Sequence, residues 1–104
     1  MHETVNDNTI ENKNILSQFT KGLFWSFNIE KLDYKRDKDL IIEQIIEAGL
    51  QNDEIIMWKI YKYEDIKNVA INMDYMRYDT LKYMSFVLKV NEDNFKCYKK
   101  CNKS

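Results

Sequence analysis

Proline is absent from this chain of 104 residues, and glycine occurs at only two positions, Gly22 and Gly49. A many-stranded β fold needs frequent turns, and the usual turn formers are missing; helices joined by short polar connections suit this composition better. Histidine occurs once, as His2, so a histidine-built metal site and a Ser–His or Cys–His nucleophile pair are out of reach. The two glycines are isolated from each other, which excludes a Gly-rich phosphate loop. No apolar run approaches the ~18–20 residues that span a bilayer. The opening stretch MHETVNDNTIENKN lacks the basic and apolar regions of a signal peptide. The expectation is a cytoplasmic protein with no membrane partner.

A charge surplus is missing as well. Sixteen Lys and Arg face 17 Asp and Glu, a net charge of −1, whereas phosphate contacts usually demand a basic surplus. DNA binding would therefore need a local patch. The two cysteines, Cys97 and Cys101, lie too close together to staple distant parts of a fold. Two thiols make at most half of a structural zinc site, so they read as inert reduced thiols, with no metal and no cofactor expected.

What the chain does contain is a periodic apolar pattern. From Asp33 to Gly49, Leu40, Ile41, Ile42, Ile45 and Ile46 recur at helical spacing, with Lys35, Arg36, Lys38, Glu43 and Glu47 largely off that face. Asp33 is expected to cap this helix and Gly49 to end it in a left-handed conformation. A second helix is predicted from Asn52 or Asp53 to about Tyr61, apolar nearly all round and hence covered on more than one side. A third is predicted over about Glu64 to Ile71. The polar stretch from Asn72 to Tyr78 reads as irregular. A fourth helix runs from Asp79, its cap, to about Val90, with Leu81, Met84, Val87 and Leu88 as its stripe and Tyr83 and Phe86 widening it.

The predicted architecture is all-α: a small bundle of about four short helices. Residues 1–20 read as a flexible polar leader, in which Ile15, Leu16 and Phe19 can form a short helical turn. Residues 21–98 form a single helical domain, and residues 99–104 a flexible basic tail that Phe95 and Tyr98 dock onto the body. The aromatic-rich segment LFWSFNIEKLD, residues 23–33, is expected as an extended piece or tight turn. Core packing is the weightier reading of it, because large aromatics are usually inside; the competing reading is an exposed partner-binding patch.

The carboxylates Glu43, Glu47, Asp53, Glu54, Glu64, Asp65, Asp74 and Asp79 occupy hydrophilic helix positions, caps or connections. They read as solvated faces rather than as catalytic pairs in a pocket. No enzyme and no small-molecule substrate is expected. From Tyr63 to Met84 the chain has the outline of a helix-turn-helix, with Arg77, Tyr78, Thr80 and Lys82 near the start of the would-be recognition helix. Its connection is longer than usual, and Asp79 would meet phosphates unfavourably.

Several ordered fragments carry a resemblance: Phe24-Trp25, Leu32-Asp33, Lys38-Asp39-Leu40-Ile41-Ile42-Glu43, Gly49, Tyr61, Ile66-Lys67, Thr80-Leu81 and Phe95-Lys96-Cys97-Tyr98. Over residues 22–98 the chain resembles small helical bacterial proteins encoded beside nucleotidyltransferase toxins of the abortive-infection type and thought to be antitoxin-like. It departs from them at Lys62, where relatives often carry Gly. The resemblance implies a mostly helical domain without catalytic residues and a protein partner, a nucleotidyltransferase-type toxin. Trp and Tyr commonly anchor such interfaces, so Trp25, Phe27, Tyr34 and Tyr98 are the candidate partner-binding residues. The alternative is a small DNA-binding regulator using Arg77, Tyr78, Thr80 and Lys82.

Overall fold

A computed structural model describes residues 10–101. Among these residues all regular structure is helical. In order the elements are α1 (10–16), α2 (Lys38–Ala48), α3 (Gln51–Ile60), α4 (Tyr63–Asn72), α5 (Tyr78–Leu88), a 3-10 turn (Glu92–Asn94) and α6 (Tyr98–Cys101). No helix of the described residues is long and apolar enough to cross a membrane. The helices read from the apolar periodicity are present, with ends displaced by a few residues. The chain divides into two compact units, Met1–Met57 and Trp58–Ser104.

In the first unit the structured chain starts earlier than the expected leader allows. Residues 10–16 are already helical, Leu16 and Phe19 are buried, and Asn12 donates to the Leu32 carbonyl at 2.7 Å. Residues 1–9 of that leader lie outside the described residues. On α2, Ile41, Ile42 and Ile45 are buried, whereas Leu40, expected on the same face, is 47% exposed. Asp33 does act at the entrance: its Oδ1 accepts from the Lys35 and Arg36 amides, both at 2.8 Å. It caps a helical turn that leads into α2, whose own N-cap is Asp37. Gly49 ends α2 for a different reason than expected. Its backbone is extended, φ −74 and ψ 157, so handedness does not require glycine there. Space does: a Cβ at Gly49 would lie 2.6 Å from the Ile45 carbonyl oxygen.

The second unit is organised on α5, which adjoins α4, the 3-10 turn and α6. Its inner face is Leu81, Met84 and Leu88, all nearly inaccessible. The connection between α4 and α5 is irregular, as expected of a polar stretch, yet it buries Met73 and Met76. The Tyr63 hydroxyl donates to the Leu88 carbonyl, and the Lys96 amide donates to the Ile71 carbonyl at 2.8 Å. Those bonds close both ends of the unit. Phe95 is buried as expected, and the chain beyond it is helical from Tyr98 to Cys101, where a flexible tail was expected from residue 99. Residues 102–104 of that tail are outside the described residues. Tyr83 and Phe86 do not widen the inner face of α5: they are 47% and 79% exposed.

Candidate functional site

The aromatic-rich segment is a chain of turns, not an extended piece. Leu23 donates its amide to the Thr20 carbonyl at 3.0 Å, Trp25 to Gly22 at 3.1 Å and Phe27 to Phe24 at 2.9 Å. Gly22 has φ +90, a left-handed conformation that a side chain would strain. These turns rotate successive side chains in opposite directions. Leu23 and Phe24 are buried, while Trp25 is 82% exposed. The Phe24 ring meets Phe19 edge-on, with centroids 5.6 Å apart and an interplanar angle of 81°, and lies 6.3 Å from Phe27. Gln44 of α2 donates to the Leu23 carbonyl at 2.8 Å and so ties the turns to the helix.

Between α1 and this segment lies a cleft of about 460 Å³. Leu16, Phe19, Phe24, Trp25, Phe27 and Ile29 form its apolar wall, and Ser17, Thr20, Lys21 and Gly22 its polar rim. The volume is that of ordinary small-ligand or side-chain pockets. Core packing and exposure thus divide one segment between them, where the sequence pattern gave them as alternatives for the whole.

One carboxyl group holds the rim. Asp53 is fully buried, although its place in the first turn of α3 reads as a solvated cap. Its Oδ1 accepts from the Thr20 amide at 2.7 Å, and its Oδ2 accepts from the Thr20 hydroxyl at 2.7 Å and from the Leu50 amide at 2.9 Å. The Leu50 bond is one half of a capping box, in which a side chain in the first turn reaches back to the residue before the helix. The two Thr20 bonds tie the same carboxyl group to the loop that carries the cleft. Burial without such partners would be costly.

Of the other candidate anchors, Tyr34 is buried outside the cleft. Its hydroxyl meets a Glu11 carboxylate oxygen at 3.1 Å, and its amide donates to Asn12 Oδ1 at 2.7 Å. Burial first, and the bond to Glu11 second, push the phenol above its ordinary range. Tyr34 therefore joins α1 to the entrance of α2. Tyr98 is half-buried at the start of α6 in the other unit. Only Trp25 and Phe27 of the four share one site.

Arg77, Tyr78, Thr80 and Lys82 do gather at the start of α5. The Lys82 ammonium sits 5.6 Å from the Tyr78 ring centroid. Arg77 Nε lies 3.7 Å from Asp79 Oδ1, and that oxygen also accepts the Thr80 amide at 2.8 Å. Asp79 is a member of the first turn, not the cap, and sets a negative charge among these cations. The Cys97 side chain is buried; that of Cys101 is outside the described set. Among the described residues no group of three or more His, Cys, Asp or Glu could hold a metal. Sequence reasoning missed Asp53 and Asn12. The one signal for Asp53 was its position three residues after Leu50, the register of a capping box.

Residues 19–70 match a family model described as "Family of unknown function (DUF6922)". The matched stretch includes the turn segment, α2 and α3 and ends within α4. No curated protein and no solved structure matches.

Proposed function

We propose, for this chain, which belongs to the DUF6922 family of unknown function, the role of a non-catalytic antitoxin-like module. In this reading it binds a nucleotidyltransferase-type toxin encoded beside it and masks the toxin's active cleft. The observation that carries the binding role is Trp25, 82% exposed at the wall of an aromatic cleft. An indole held in water exposes a large apolar surface that a partner can bury, and interface energy concentrates in such anchors. Phe27 and Ile29 offer the adjoining apolar surface, and Lys21 the nearest charge at the rim. The choice of toxin as the partner rests on the resemblance of the ordered fragments described above.

The test is co-purification and calorimetric titration with the neighbouring nucleotidyltransferase, together with rescue of cells from its toxicity. Wild-type chain is expected to bind and to rescue. Trp25→Ala is expected to weaken binding by about 2 kcal/mol, the scale of an interface anchor, with little change in stability. Lack of binding by the wild-type chain, with toxicity unrelieved, refutes the reading. In a salt-dependent gel shift on the upstream promoter, binding that disappears in Arg77→Ala and Lys82→Ala would favour the DNA-binding alternative instead.

A further inference from the structure

Lys21 is the single charged residue among those that line the aromatic cleft. Among the described residues no ion pair or hydrogen bond holds its ammonium. Asp53 holds the same loop, but its oxygens face Thr20 and Leu50. On the chain to either side the charges balance in number: Glu11 with Lys13 on α1, and Glu30 with Lys31 after Ile29. The rim is therefore positive at one point. Its hydroxyl protons are already committed, because Ser17 donates to the Asn14 carbonyl at 2.9 Å and Thr20 to Asp53 at 2.7 Å. The side-chain donors left at the cleft are the Lys21 ammonium and the indole N–H of Trp25, which is 82% exposed.

We infer that this cleft binds a small organic acid, an aromatic or aliphatic body with one carboxylate. The body seats against Phe24, Trp25 and Phe27, where burial of apolar surface favours it. The head group stays at the rim beside Lys21. A carboxylate only accepts hydrogen bonds, which matches a rim whose free side-chain groups donate. It also meets a charge of opposite sign, whereas an amine meets its own sign and a neutral amide forgoes the ion pair. At an exposed rim the carboxylate keeps part of its hydration, so the cost of burying a charge does not arise. The volume of about 460 Å³ lies within the range of small-molecule sites. For a small probe the affinity is about millimolar, since the ion pair is solvated and the body is small. A bound acid covers the Trp25 indole and so competes with the partner proposed for it. That competition rests on the partner reading; binding of the acid does not.

The probes are 4-phenylbutyrate, 4-phenylbutanamide and 4-phenylbutylamine, which share one body and differ in head-group charge. Titration of the full chain with each, followed by NMR at the Trp25 indole N–H, gives three affinities. In the wild type the acid is expected to bind about two- to fivefold tighter than the amide, and the amine weakest. Lys21→Glu is expected to reverse the order, so that the amine binds best, with an unchanged circular dichroism spectrum. Lys31→Glu makes the same charge change outside the lining and is expected to keep the wild-type order. Trp25→Ala, followed at the neighbouring backbone amides, is expected to weaken all three. An acid that does not bind up to roughly 10 mM, or binds no tighter than the amide, overturns the inference. So does a Lys21→Glu variant that keeps the wild-type order. The titrations contain no toxin, so their outcome stands whether or not the proposed partner binds.

Discussion

Trp25 and Phe27 in the first unit stand on consecutive turns that begin at Thr20, which is held by a buried carboxyl group 33 residues further along the chain. Tyr83 and Phe86 in the second unit stand on one uninterrupted helix with no side-chain cap. Both pairs bring an aromatic into solvent. In the turn segment local backbone turns set the direction of each side chain, and tertiary hydrogen bonds, from Thr20 to Asp53 and from Gln44 to the Leu23 carbonyl, anchor those turns. On α5 it is set by the helical repeat once the inner face is fixed. A surface of the first kind can be lost through a residue that never touches a partner. A surface of the second kind fails only through its own residues or the melting of the helix.

The largest effect should come from removing the distant anchor. Asp53→Ala leaves the Thr20 amide, the Thr20 hydroxyl and the Leu50 amide without their acceptor and is expected to cost about 3 kcal/mol. Chemical denaturation measures that cost. Partner binding by the fraction that remains folded should fall with it, although Asp53 is fully buried. Retention of full stability in this variant would break the contrast between the two surfaces.

A smaller effect distinguishes two left-handed positions. Gly22 (φ +90) sits in the turn segment, and Lys89 (φ 60) ends α5. Gly22→Ala is expected to destabilise by about 1 kcal/mol, although nothing lies within 4 Å of the added Cβ, because the strain is in the backbone. Lys89→Gly is expected to stabilise by roughly 0.5–1 kcal/mol for the converse reason. Thermal melts of the two variants should move in opposite directions.

The smallest effects on stability belong to the exposed aromatics themselves. Trp25→Ser and Phe86→Ser should each change stability by less than about 0.5 kcal/mol. In a Trp58→Phe background, the remaining Trp25 should be quenched by acrylamide as readily as a hydrated indole. A protected Trp25 would mean that the cleft is closed and would remove the difference between the two surfaces.

Much of the helical skeleton was legible in the sequence, because the apolar repeat needs only local spacing to be read. Ile41, Ile42 and Ile45 on α2, and Leu81, Met84 and Leu88 on α5, were expected inside and are buried. The edges of the stripes were not legible: Leu40 and Phe86 are as apolar as their neighbours, but among the described residues they stay 47% and 79% exposed. The helix over residues 10–16 was hidden by polar composition. Asn12 there is held by backbone groups of Leu32 and Tyr34, which no local pattern announces. The candidate site was half legible. Aromatic content pointed to Trp25 and Phe27, but nothing in the residue order separated them from Tyr34, which is buried.

The amino-acid order by itself determined that the described chain would be helical, where most of those helices run and which side of each is the more apolar. The physical cause is short-ranged: a repeat of 3.6 residues, two glycines and no proline leave few other ways to satisfy the backbone. Only tertiary structure decided that Asp53 is buried, that Gly49 is required by space rather than by handedness, and which aromatics meet water. Each of those outcomes depends on atoms brought together from beyond the reach of neighbouring residues, and burial is a property of such neighbours rather than of the residue itself.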